Sequence, residues 1–193
     1  GALAAFFSVS KAVMYSVIYC DPPWDYDGRE QHNTTEANMS VKDHYNTMTL
    51  QQLKALDVKS LADASGCLLF MWSSSPHLPQ ALELMKAWGF DYKTIAFVWE
   101  KQKVNPGYYT MSQVEICIVG KRGTIPKNRG SRNERQFLSE MRGRHSAKPA
   151  EIRNRITRMF PQHKKVELFA RETTEGWAVW GNEVQNTFLL PNQ

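Results

Sequence analysis

The sequence predicts an α/β fold, a mostly parallel β-sheet with helices on both faces. Short apolar runs typical of buried strands recur along the chain, and amphipathic segments with helix-cap signals lie between them. Polar residues follow directly after two of these runs. Alternating strand and helix patterns favour a sheet covered by helices. The chain has 193 residues, enough for one domain with a real core, and no apolar run approaches the roughly 20 residues that span a bilayer.

The strand predictions rest on composition and alternation. The run YSVIYC is short, apolar and aromatic, as expected for a strand buried on both faces. Alternating Val114, Ile116 and Ile118 indicate another strand. The polar stretch 25–46 reads as a long loop. In chain order the predicted strands are 15–20, 66–72, 92–101, 113–122 and 164–171, followed by a terminal strand or turn at 176–184.

Three helices are predicted between these strands. The first spans 47–56, with threonine at its start and leucines at helical spacing. The second spans 75–90 and is closed by Gly89. The third spans 148–161 and is ended by its proline.

The tetrapeptide DPPW follows the first predicted strand. In α/β sheets, ligands bind beyond the carboxyl ends of the strands, which places the carboxylate of Asp21 at such an edge. Pro22 and Pro23 stiffen the loop, and the Pro22 carbonyl is expected to face a ligand with no local donor competing for it. Trp24 offers a stacking face. Two acceptors and an aromatic plate suit a flat group bearing an NH₂, such as adenine, although the motif alone also fits a strand end before a turn.

Positive charge is concentrated in one part of the chain. Residues 121–165 carry fourteen Lys and Arg against three Asp and Glu, whereas the net charge of the whole chain is +5. Such a segment is typical of a polyanion-binding surface, with a solvated basic face as the alternative.

Other residue types bound the function. Cys20, Cys67 and Cys117 lie in apolar runs without pairing motifs, which indicates buried thiols in a cytoplasmic protein. The five histidines show no metal-ligand spacing, so we expect no metal. Residues 1–13 are interpreted as an extension or remnant before a single domain at 14–193.

In this context the sequence resembles the Asp-Pro-Pro-Trp adenine-N6 methyltransferases, the family of the catalytic subunit of the eukaryotic messenger-RNA methyltransferase and of compact bacterial and phage DNA methylases. The likeness covers roughly residues 15–184. The matching blocks, in order, are DPPW, HYNTMTLQQL, LFMWSSSPHLPQALELMKAWGF, VEICIVGKRG, SAKPAEI, KVELFAR and WGNEV.

The resemblance implies a Rossmann-like methyltransferase that uses S-adenosylmethionine, with a circularly permuted motif order. Asp21, Pro22, Pro23 and Trp24 match the catalytic tetrad. Lys148 matches a lysine that contacts the methionine end of the donor, with a solvated lysine as the alternative. The other donor-binding candidates are Asp21, Glu167, Leu168, Arg171, Thr173, Asn182 and Glu183, of which Thr173 and Glu183 depart from the residues common in the family.

Candidates for nucleic-acid binding fall in three places. Lys42, His44 and Tyr45 lie in the loop after DPPW, with a plain surface histidine equally compatible for His44. Tyr108 and Tyr109 can stack on bases, unless one packs in the core. The basic segment at about 121–148 supplies Lys121, Arg122, Lys127, Arg129, Arg132, Arg135, Arg142 and Arg144, which we expect to lie along a phosphate backbone.

The favoured function is methylation of adenine N6 in DNA by a bacterial or phage enzyme, because the chain is compact. The same reaction on RNA is the alternative. An inactive nucleic-acid scaffold is disfavoured because Asp21 and Trp24 are both present, and methylation of a protein amide or small molecule is disfavoured by the basic segment. A homodimer is one arrangement by which so small a chain would grip a duplex.

Overall fold

The computed structural model describes residues 13–25, 47–143, 147–188 and 190. Within these ranges, no helix combines the length and the apolar character needed to cross a membrane. The described part forms one seven-stranded sheet with helices packed on it.

The sheet is mostly parallel, as predicted. Its strand order is β5-β3-β4-β2-β1-β6-β7, and β4 is antiparallel to both of its neighbours, whereas the other adjacent pairs are parallel. The strands are β1 Val17–Cys20, β2 Gly66–Ser73, β3 Asp91–Pro106, β4 Met111–Gly123, β5 Phe137–Ser139, β6 Lys165–Leu168 and β7 Trp177–Trp180.

Helices cover both faces of the sheet and create two cores. On one face, Leu53 and Leu84 of the first two helices pack with Ile18 and Met71 of the central strands. On the other face, Ile152 and Ile156 of the third helix pack with Tyr19, Phe70 and Trp99. All four residues of β1 are buried, because the strand is sandwiched between these two layers.

The helices begin and end at the signals present in the sequence. Helix α1 starts after Thr49, whose side chain forms a capping box with Gln52. Gly89 follows α2 with a φ of +87°, a conformation that favours glycine. The helices are α1 Leu50–Ala55, α2 Leu78–Ala87 and α3 Ala150–Met159, and short 3₁₀ turns occupy Val58–Leu61 and Ser75–His77.

The strand β1 lies at the point where the chain changes direction across the sheet. From β1 the chain proceeds through α1 to β2 on one side, whereas β6 lies on the other side of β1 and leads outward to β7. In α/β sheets the crevice at such a switch point is the usual ligand site. Here that crevice opens between the carboxyl ends of β1 and β6.

Candidate active site

Asp21 lies at the carboxyl end of β1, as the sequence predicted. The last residue of the strand, Cys20, is paired with Met71 of β2 and Leu168 of β6. Asp21 therefore leaves the sheet at the crevice between β1 and β6. Its side chain is 35% exposed, so the carboxylate is supported by the protein and still reachable from the crevice.

The ammonium of Lys148 is shared between two carboxylates. Its Nζ lies 3.2 Å from Oδ2 of Asp21 and 3.3 Å from Oε1 of Glu115, and 5.8 Å from the ring centroid of Trp72. The side chain is 13% exposed, so it is not a solvated lysine. Burial alone lowers the pKa of Lys148, but attraction by Asp21 and Glu115 outweighs it and the net pKa is raised. Lys148 therefore stays charged at neutral pH.

A second ion pair lies on the β6 side of the crevice. Nη1 of Arg153, on α3, lies 2.8 Å from Oε1 of Glu167, on β6. Both side chains are almost buried, and Arg153 also contacts Glu172 at 2.8 Å. Burial raises the pKa of Glu167, and Arg153 opposes this rise without cancelling it.

These groups surround one cleft. Its volume is about 520 Å³, within the range of about 300–1,000 Å³ that small-molecule sites occupy. The predicted residues Asp21, Lys148, Glu167, Leu168, Arg171 and Glu183 all line it. The remaining described residues of its lining are Tyr19, Ala147, Pro149, Ala150, Arg153, Phe169 and Glu172.

Two predicted donor-binding residues are next to lining residues in the chain without lining the cleft themselves. Thr173 and Asn182 are exposed and are not among the described residues that line the cleft. Phe169, by contrast, lines it with a φ of +58°, which is strained for a bulky side chain. Such strain concentrates at functional sites. The strain at Phe169 falls where β6 meets the cleft.

The backbone of the DPPW loop differs from the prediction. The Pro22 carbonyl accepts a hydrogen bond from the N–H of Trp24 at 2.9 Å, so the prediction that no local donor competes for it is wrong. Pro23 bends the chain between Pro22 and Trp24, and this brings the backbone N–H of Trp24 to the Pro22 carbonyl oxygen. A carbonyl oxygen has two lone pairs, so one acceptor position remains. The loop is held further where the N–H of Met48 donates to the Pro23 carbonyl at 2.8 Å.

Trp24 is also less open than predicted. Its side chain belongs to the core, and the ring of His77 stacks on it with 6.2 Å between centroids and 9° between planes. The prediction of an open stacking face is therefore wrong in this structure, because the residues around 77 pack over the indole. The indole Nε1 is buried and has no hydrogen-bond partner among the described residues.

Tyr108 and Tyr109 lie at the tip of the hairpin between β3 and β4. Both are exposed, Tyr109 completely, so neither packs in the core. The carboxyl end of β3 points to the same edge of the sheet as that of β1, because β4 alone is reversed. The tyrosines therefore stand on the cleft side of the molecule.

The basic segment does not form one track beside the cleft. Lys121 and Arg122 lie near the end of antiparallel β4, where Gly123 pairs with Gly66 at the start of β2. That edge is about 20 Å from the cleft edge, at roughly 3.3 Å per residue. The strand reversal therefore places Lys121 and Arg122 away from the cleft, and their contact with a phosphate backbone stays a prediction.

The rest of the segment returns along the outside of the sheet. The backbone carbonyl of Lys127 bonds with His163 beyond the end of α3, and the guanidinium of Arg129 packs on Phe160. Arg132 is exposed on the returning chain, and Arg142 follows β5 at the cleft edge. Lys42, His44, Tyr45 and Arg144 lie outside the described residues.

The residues that sequence reasoning missed are partners of predicted ones. Glu115 lies on a strand whose alternation was recognised, and Arg153 lies on a predicted helix. Their roles depend on contacts across the fold, with Glu115 33 residues from Lys148 and Arg153 14 residues from Glu167. The one signal available for Glu115 was a carboxylate between Val114 and Ile116, two of the alternating apolar residues of the strand.

Comparisons with known proteins identify the family of the chain. The MT-A70 family matches residues 15–183. The type II methyltransferase M.MunI of Mycoplasma sp is 44% identical, over 93% of this chain and 82% of M.MunI. The N(6)-adenosine-methyltransferase subunit METTL3 of Danio rerio is 27% identical over 96% of this chain, and the human METTL3 catalytic subunit is 25% identical over the same share. This chain spans 30% and 31% of those two proteins.

The mostly parallel sheet and its charged switch-point cleft define the protein as an α/β methyltransferase. It belongs to the MT-A70 family.

Proposed function

We propose that this methyltransferase transfers the methyl group of S-adenosylmethionine to the exocyclic N6 amine of adenine in DNA. The observation that carries the proposal is the position of Asp21. This first residue of the DPPW loop lines the same cleft as Lys148 and Glu167. The N6 position is supported by similarity to proteins named N(6)-adenosine-methyltransferases.

The cleft fits a donor with a sugar, a carboxylate and a sulfonium. Glu167 is fixed by Arg153 and offers carboxylate oxygens to ribose hydroxyls. Two of the three N–H groups of the Lys148 ammonium point to Asp21 and Glu115. The third is left to bind the carboxylate of S-adenosylmethionine. S-adenosylmethionine would supply an electrophilic methyl group on sulfur, and the residues present suit its polar groups.

The rim of the cleft suits the amine that accepts the methyl. The N6 lone pair of adenine is delocalised into the ring, so the amine is a weak nucleophile. Asp21 and the second lone pair of the Pro22 carbonyl would each accept a hydrogen bond from one N–H of the amine, which would draw the nitrogen toward tetrahedral geometry. The nitrogen would then bond to the methyl carbon as the carbon–sulfur bond breaks and its electron pair stays on sulfur, and the methylated nitrogen would afterwards lose a proton to water. Asp21 would stabilise the positive charge that develops on nitrogen.

DNA is favoured over RNA by the higher identity to the type II methyltransferase M.MunI, 44% against 27% and 25% for the two METTL3 proteins. The chain covers most of M.MunI, whereas it matches less than a third of the METTL3 proteins. RNA methylation is the second candidate, because those adenosine methyltransferases match nearly the whole chain.

A transfer assay tests the proposal. The protein is incubated with methyl-labelled S-adenosylmethionine and, separately, with duplex DNA, single-stranded DNA and RNA, and the label is located by nucleoside digestion. We expect label in N6-methyldeoxyadenosine. Label confined to N6-methyladenosine would replace DNA by RNA, and binding of the donor without transfer to any nucleic acid would indicate an inactive scaffold.

A further inference from the structure

The hairpin between β3 and β4 extends past the rest of the sheet as a two-stranded arm, residues 101–113. The neighbour on one side, β5, pairs with β3 only as far as Glu100, and β2 pairs with β4 only from Ile116 onward. Beyond those residues β3 and β4 pair in the sheet only with each other among the described strands, and Gln102 Nε2 donates to Ser139 Oγ of β5 at 3.1 Å. From Val114, which pairs with Glu100, to Met111, which pairs with Pro106, the arm reaches about 10 Å at roughly 3.3 Å per residue, and β3 is bulged over this span.

The tip of this arm presents an aromatic ring by means of a strained turn. The N–H of Thr110 donates to the carbonyl of Tyr108 at 2.7 Å, and Tyr109 at the centre of this three-residue turn has a φ of +65°. Turns of this kind are rare and strained. A Cβ at Gly107 would lie 2.8 Å from the carbonyl oxygen of Thr110, so the turn requires glycine there. Tyr109 is fully exposed, so its strained conformation adds no packing contact to the core.

The charge of the arm suits a polyanion. Residues 101–113 contain two lysines and no acidic residue. Val104 and Met111 on the arm are exposed together with the two tip tyrosines. Basic side chains interleaved with exposed aromatic and apolar ones are typical of surfaces that contact phosphates and stack on bases.

The arm stands close enough to the cleft to contact the same duplex. It projects from the edge at which Asp21 lies, and it begins two to three strands to the side of β1 in the sheet order. At roughly 4.8 Å per strand, this offset is about 10–15 Å, comparable with the roughly 12 Å width of the major groove.

Resting on the proposed function, we propose that the arm inserts Tyr109 into the base stack of duplex DNA, at the step that the target adenine leaves when it enters the cleft. An extruded base leaves a costly gap in the stack, and apolar or aromatic wedges fill such gaps in other DNA complexes. Tyr109, the more exposed of the two tip rings, lies at the centre of the turn and suits this role. Tyr109 is thus a positioning residue, which stabilises the extruded state without touching the amine.

The test compares Tyr109→Ala and Tyr109→Trp with Tyr92→Ala, an exposed tyrosine near the opposite end of the same strand. The substrates are a duplex containing a site that the wild-type enzyme methylates and the same duplex with the target adenine mismatched, so that it is already partly unstacked. We measure kcat/KM on both, and the fluorescence of 2-aminopurine at the target position. Sedimentation and thermal unfolding accompany each variant.

We expect Tyr109→Ala to lower kcat/KM on the matched duplex at least tenfold and on the mismatched one less than threefold, with a reduced 2-aminopurine signal. Tyr109→Trp and Tyr92→Ala should stay near wild type. Equal losses of kcat/KM on the two duplexes would contradict the insertion of Tyr109. A change of oligomeric state with an unchanged ratio of kcat/KM between the two duplexes would contradict it as well. If the wild-type enzyme transfers no methyl group to DNA, both the proposed function and the insertion of Tyr109 are wrong. If Tyr109→Ala has wild-type kcat/KM on both duplexes, only the insertion of Tyr109 is wrong.

Discussion

The ammonium of Lys148 lies 3.2 Å from the carboxylate of Asp21, and this pair joins the start of α3 to the DPPW loop. Glu115 holds the same ammonium from β4. One buried cation thus fixes the position of the carboxylate that the proposed chemistry requires.

Lys148→Met should impair both stability and activity. The substitution preserves the bulk of the side chain but leaves Asp21 and Glu115 facing each other without a cation. We expect a loss of about 2 kcal/mol in the free energy of unfolding, below the 3–5 typical of fully buried pairs because Asp21 is partly exposed. Misplacement of Asp21 should lower kcat about 100-fold.

Denaturant unfolding and initial rates measure the two effects. The matched control is Lys148→Met combined with Glu115→Gln, which removes one of the stranded charges and should recover part of the stability but not the rate. A single Lys148→Met variant as stable as the wild type would show that the pair does not hold the loop.

Asp21→Asn tests the carboxylate itself. The amide has the same shape but lacks the negative charge that would stabilise the developing cation, and one of its two oxygen positions becomes a donor. We expect kcat to fall by about 100-fold or more, and Asp21→Ala to abolish transfer. Donor affinity, measured by calorimetry with S-adenosylhomocysteine, should change less than threefold because Glu167 is unaltered. Wild-type turnover by either variant would remove Asp21 from the mechanism.

As pH is lowered, binding of S-adenosylmethionine should begin to weaken at a higher pH than a carboxyl group of ordinary pKa would cause. Ribose hydroxyls donate to Glu167 most strongly when it is ionised, and burial raises its pKa above the ordinary 4.5. The ionised fraction, and with it the affinity, therefore falls as pH drops through that raised pKa. The sign for stability is opposite: the contribution of protonated Glu167 is present below 4.5 and is lost as pH rises through the raised pKa. Calorimetric titrations between pH 5 and 8 follow the affinity, and Glu167→Gln should flatten the acid limb.

The partner of Glu167 should set where that acid limb falls. Arg153 lowers the pKa of Glu167 against the effect of burial, so Arg153→Met should move the limb to higher pH. Arg153→Lys keeps a positive charge and serves as the control, with a smaller displacement. An acid limb that stays in place in Arg153→Met would mean that another group titrates.

The strands and helices were largely readable from the sequence, and the exceptions have physical causes. The apolar run of β1 and the capping threonine of α1 report local preferences, so both elements were predicted. The three residues of β5 were not, because their strand character comes from pairing with the edge of β3 rather than from their own alternation. The arm was missed as a structural feature, although its tyrosines were noted, because its length depends on where neighbouring strands stop.

The site was predictable in its residues but not in their pairing. Asp21, Lys148 and Glu167 were chosen from motifs, and the structure brings all three to one cleft. The bonds of Lys148 to Glu115 and of Glu167 to Arg153 are tertiary contacts that no spacing rule indicates. The burial of Trp24 under His77 likewise depends on a segment more than fifty residues away.

The two ends of the basic segment should differ in their contribution to DNA binding. Arg142 follows β5 at the cleft edge, whereas Lys127 lies near the end of α3 at the opposite edge. Both side chains are exposed, and replacement of either by alanine removes one positive charge. If Arg142 contacts a phosphate, Arg142→Ala should reduce the magnitude of the slope of log affinity against log salt concentration by about 1. Lys127→Ala should leave that slope unchanged. Fluorescence anisotropy with a labelled duplex at several salt concentrations measures the slope, and equal slopes for the two variants would show that only net charge matters.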